Sequence, residues 1–154
     1  ALLGWVLLFP GSSFSVDSSE KPRIRDDLPL YNLSEGTRFQ VQEEILIPAN
    51  AAGASLGKLE GGLDCTLYVK TPSTRERVMR PGSELIVAGV RREALSTPGS
   101  TLEWTRILLN SDVLREILCE NRRNTPPPRI RDFLEAVKGK LALEEAPPPS
   151  EIQS

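Results

Sequence analysis

The sequence predicts a mainly β protein, a small antiparallel barrel or sandwich of about five to six strands with one C-terminal amphipathic helix and extended termini. Three observations lead there. Apolar and polar residues alternate over several short stretches, turns rich in Pro and Gly recur between Thr71 and Ser100, and residues 129–145 carry a helical stripe. With 154 residues, 39% of them hydrophobic, the chain is long enough for one domain with a real core.

Residues 1–15 open on an apolar head whose large side chains are Leu3, Trp5, Val6, Leu7, Leu8 and Phe9. The head is too short for the ~20 residues that a helix needs to cross a bilayer. Its apolar run, the break at Pro10-Gly11 and the small Ser13 and Ser15 resemble the later part of a secretory signal peptide. The alternatives are an anchor to a membrane surface or a partner, which makes the head a candidate docking segment, and an ordinary buried segment.

Residues 16–36 mix Lys21-Pro22, Asp26-Asp27 and Leu28-Pro29 without a period and read as an extended arm. From Thr37 the apolar Phe39, Val41, Ile45 and Ile47 fall on odd positions, the alternation of a half-buried strand that Pro48 ends. Residues 49–62 are small and Gly-rich, a loop with a short edge strand near 55–59. Over 63–70, Leu63, Cys65, Leu67 and Val69 share one face, whereas 84–91 is apolar on both faces, as a central strand would be. Residues 101–109 bury Leu102, Trp104 and Ile107 only if the strand shifts face. After Asn110-Ser111-Asp112, residues 113–119 fit either strand or helix. The barrel or sandwich domain therefore spans 37–120. A Pro-rich linker over 121–128 precedes the helix at 129–145, with Ile130, Phe133, Leu134, Val137 and Leu141 on one stripe. Residues 146–154, with Pro147-Pro148-Pro149, read as a disordered tail.

Cys65 and Cys119, the only cysteines, both fall in strand-like segments. In an exported chain they read as a disulfide, worth about 4 kcal/mol for a loop of this size in the chain-entropy model. Without export they would be buried thiols. Histidine is absent, which removes zinc sites of the sulphur and imidazole kind, Ser-His-Asp and Cys-His nucleophile pairs, and the usual proton shuttle at neutral pH. Neither a catalytic residue, a metal nor a cofactor is indicated. The carboxylates Asp26-Asp27, Glu43-Glu44 and Glu60 with Asp64 read as solvated surface, since neighbours on a strand point to opposite faces. Residues 53–58 imitate a phosphate-binding loop, but have three residues between the glycines where four are needed, and Leu59 replaces the Ser or Thr that would hold magnesium.

The net charge of −2 and pI near 5.3 argue against nucleic acid as a partner. Arg75, Arg77, Arg91, Arg92, Arg122 and Arg123 are a candidate face for an anionic ligand or an acidic partner, with ordinary solvated arginines as the alternative. The expected role is non-catalytic: a binding or structural component of a cell-envelope or secreted assembly, periplasmic or extracellular, docking on a protein partner through its terminal arms. Two other roles fit the residues less closely. One is a peripheral envelope factor that binds anionic lipid or glycan through the arginines; the other is a hydrolase with a Ser-Lys or carboxylate site that carries no local signature.

Overall fold

Alternation becomes sheet wherever the sequence shows it cleanly. The structure is a computed structural model and describes residues 25–60, 62–121 and 127–144. The head at 1–15, the arm up to residue 24, linker positions 122–126 and the tail at 146–154 lie outside the described residues. The strands are β1 (Arg38–Val41), β2 (Ile45–Ile47), β3 (Gly53–Lys58), β4 (Leu63–Val69), β5 (Arg77–Met79), β6 (Glu84–Thr97), β7 (Ser100–Leu109), β8 (Leu114–Asn121) and β9 (Leu141–Leu143), with the helix α1 (Ile130–Ala136) before β9. Seven of them form one antiparallel sheet in the order β3-β4-β8-β7-β6-β1-β9, and β2 pairs with β5 in a second, two-stranded sheet. The main sheet thus exceeds the expected five to six strands.

The large sheet curls into a nearly closed barrel. Its edge strands are β3 and β9, and α1 packs on both of them and on β4. The core fills the inside: Phe39 and Val41 from β1, Leu85 and Val87 from β6, Leu63, Leu67 and Val69 from β4, Ile117 from β8, and Ile130, Phe133 and Val137 from the helical segment. Phe39 and Phe133 meet edge to face at 5.4 Å between ring centroids, which fixes α1 against β1.

Four departures from the sequence reading have physical causes. The run read as one strand from Thr37 to Ile47 is two, because the chain turns a corner after Val41 and sends β2 to β5. The odd-numbered Phe39, Val41, Ile45 and Ile47 are buried on both sides of the corner, with only Glu43 exposed between them, so the apolar period does not register the break. The helix is seven residues long, against the stripe over 129–145. Val137 closes it, its carbonyl accepting the N–H groups of Lys140 and Leu141 at 2.8 Å, and Leu141 begins β9. Leu141 is buried in either conformation, so the stripe hid a strand. In β7 no shift of face occurs: Glu103, Thr105, Ile107 and Leu109 point inward, and Leu102 and Trp104 are half-buried on the other face. Finally, the described part of the expected arm packs on the barrel. Leu30 and Leu33 are buried, the Leu30 N–H donates to the Pro128 carbonyl, and the Ile130 N–H donates to Leu28.

Of residues 113–119, all from Leu114 onward are strand, the start of β8. The Ser111 hydroxyl accepts the N–H groups of Val113 and Leu114, turning the chain from β7 into β8.

Candidate partner-binding surface

Cys65 and Cys119 are directly opposite each other on β4 and β8 and form a disulfide, with Cα atoms 4.1 Å apart. The Val69 N–H donates to Ala52, so the odd residues of β4 bond toward β3 and leave Cys65 in a non-hydrogen-bonded pair with Cys119. That is the sheet position where facing side chains come closest. Both cysteines are buried, which removes them as nucleophiles and is compatible with an oxidising compartment.

Of the candidate arginines, the structure describes Arg75, Arg77, Arg91 and Arg92. Arg75 and Arg77 lie on and before β5, and the Arg77 guanidinium donates to the Thr71 carbonyl. Arg91 stands seven residues along β6, roughly 23 Å from its start in an extended strand. Arg91 and Arg92 then diverge, as neighbours on a strand must. Arg91 is opposite Arg106, whereas Arg92 turns toward the barrel mouth, paired with the buried Glu103 at 3.0 Å and stacked 5.0 Å from the Tyr31 ring centroid. The Glu103 carboxylate raises the Arg92 pKa, first by hydrogen bonding and then by charge. Arg122 and Arg123, like Leu3, Trp5, Val6, Leu7, Leu8 and Phe9, lie outside the described residues.

The outer face carries a chain of charges that the sequence did not reveal. Glu93 on β6, Arg106 on β7 and Glu116 on β8 bond in series, and Arg115 stacks on the Tyr68 ring of β4. The Glu116 side chain keeps only 5% of its surface exposed, so its charge depends on Arg106 and on Arg115 at 3.7 Å. Near the β9 edge, Glu144 meets Glu84. Hydrogen bonding with Glu84, then burial, then repulsion by the Glu84 charge raise the Glu144 pKa above 4.5, and Arg38 opposes the rise.

Beyond the end of α1, the start of β3 faces β2 and Lys140, the residue that precedes β9. A groove of about 470 Å³ runs there, lined by Glu44, Ile45, Leu46, Pro48, Gly53, Ala54, Ser55 and Lys140. Since Ala52 bonds to Val69, alternation gives Ala54 to Leu67 and turns the N–H and C=O groups of Gly53 and Ser55 away from β4. No backbone partner meets them among the described residues. Beside the groove, Leu46 and Val78 are cross-strand partners in the second sheet and remain 46% and 42% exposed. Lys140 is paired with Glu43 at 3.4 Å; Glu44 has no ion-pair partner among the described residues.

Sequence reasoning missed this groove because it joins residues 44–48 and 53–55 to the remote Lys140, and because the outward groups of β3 are backbone. The available signal was the short edge strand expected near 55–59, in a stretch with no large side chain before Leu56.

Among the described residues, no cluster of three or more acidic or cysteine side chains could hold a metal ion, and no helix is long and apolar enough to cross a membrane. No protein-family model, curated protein or solved structure matches the chain.

Proposed function

We propose that the protein is a non-catalytic binding or structural component of a secreted or cell-envelope assembly, acting in a periplasmic or extracellular space. The observation that carries this reading is the exposed Leu46–Val78 pair beside an open sheet edge. Adjoining apolar side chains and unpaired backbone are surface that a partner protein covers. The buried disulfide supports the compartment, since such bonds persist where thiols are not kept reduced. The apolar head belongs to the same proposal as a second docking element, through Leu3, Trp5, Val6, Leu7, Leu8 and Phe9.

The test is purification of the full chain from its native compartment beside two variants. One lacks residues 1–24, a cut chosen because Leu30 and Leu33 are core and a longer deletion would expose them. The other is Leu46→Asp with Val78→Asp, at positions where charge can be solvated. The full chain is expected to sediment in a stoichiometric complex that one or both variants lose. A full chain that sediments alone in native extract contradicts the proposal.

A further inference from the structure

We infer that the groove between β2 and β3 is a strand-addition site, taking an extended, apolar and basic segment of a partner protein onto the edge of β3. The inference rests on the binding role proposed above and names its site and the chemistry of its ligand.

Gly53 and Ser55 each turn one N–H and one C=O to the open side, spaced as one face of a strand ladder requires. An added strand satisfies all four groups, the mode by which extended peptides extend exposed sheets. A strand edge left open is a hazard for aggregation, and proteins guard such edges with charge or by keeping them short. The other edges here are guarded. The free part of β6 carries Arg91, Arg92 and Glu93, and β9 has three residues. Residues 53–57 of β3 carry no charge, and the small Gly53, Ala54 and Ser55 line the groove. The edge lacking a guard is the one that opens into a groove.

Leu46 and Pro48 offer an apolar surface for one side chain of the added strand. Lys140 is already engaged by Glu43, whereas Glu44 faces the groove without a cation among the described residues. The local charge is therefore negative, and it selects a basic side chain in the added segment. At the far end α1 blocks the edge: a Cβ on Gly57 would overlap the Ala136 carbonyl. The accessible edge is thus short, and the segment pairs chiefly over Gly53–Ser55.

The experiment uses the full chain and an acetylated, amidated hexapeptide of alternating threonine and valine with one central lysine, followed by amide shifts in NMR titration. Shifts should concentrate at Gly53, Ser55, Leu46 and Lys140. The Ser55→Pro variant removes one outward N–H at an exposed edge position that tolerates proline, and should weaken binding at least tenfold. Because that variant could also disturb β3, Glu44→Lys is the second: it should prefer the same peptide with glutamate in place of lysine. Absent or scattered shifts, or binding indifferent to both variants, overturn the inference. Shifts seen only after removal of residues 1–24 overturn it in favour of the chain's own head, and peptide-induced dissociation of a dimer overturns it in favour of a second copy. If the peptide fails while the native complex persists, the site falls and the binding role stands.

Discussion

Glu103 and Glu116 are carboxylates that this fold takes almost wholly out of water, and both are held by arginines on a neighbouring strand. Removing such a cation strands a charge, which costs more than the intact pair contributes. Arg106→Ala is therefore expected to destabilise the protein by about 1–3 kcal/mol, with Arg115 limiting the loss. Urea unfolding of Arg106→Ala against Arg106→Ala with Glu116→Gln checks this, since the second change should recover part of the stability. Glu144 behaves in the opposite sense. Its pKa is raised on folding, so the stability it contributes is present below 4.5 and is lost as pH rises through the raised value. Glu144→Gln should accordingly match the parent at pH values below 4.5 and exceed it near neutrality, read from urea midpoints across that range. Little of this was legible in the sequence. That Arg91 and Arg92 diverge follows from strand geometry, but their partners depend on register, which the hydrophobic pattern of 91–106 leaves open.

At the scale of elements, the disulfide and the helix plug hold the barrel. Replacing Cys65 and Cys119 together by alanine should cost about 4 kcal/mol in denaturant unfolding through the freed chain entropy. A loss below about 1 kcal/mol would mean that the unfolded chain is already constrained near these strands. Gly57 marks where β3 passes the last turn of α1. Its φ of +148° and the Ala136 carbonyl both exclude a side chain. Gly57→Ala is expected to cost about 1–3 kcal/mol and to loosen α1, which amide exchange of Phe133 and Val137 would report. Legibility followed the purity of the pattern. β4 could be read residue by residue, because Leu63, Cys65, Leu67 and Val69 are apolar and inward. β7 could not, because Glu103 and Thr105 occupy inward positions that a hydrophobic pattern assigns to apolar residues. β9 was masked by the stripe that α1 begins, since Leu141 lies on both the helical and the strand face.

For the whole molecule, the decisive property is that the barrel stops short of closure. The main sheet curls until α1 packs on both β3 and β9, and beyond the short helix the outward groups of Gly53 and Ser55 have no backbone partner among the described residues. In the proposed role, the stapled, core-filled wall holds geometry and the seam would offer backbone and apolar surface to a partner. Alternation, recurring turns and the two cysteines indicated the stapled β scaffold, but the seam arises from the meeting of residues 44–48, 53–55 and 140, which no local pattern links. Amide hydrogen exchange of the full chain, resolved by residue across β3, tests the open seam most directly. The account predicts that Gly53 and Ser55 exchange nearly as fast as unstructured amides while Ala54, bonded to Leu67, is strongly protected. Equal and strong protection of Gly53, Ala54 and Ser55 would contradict it, because the edge would then already be covered.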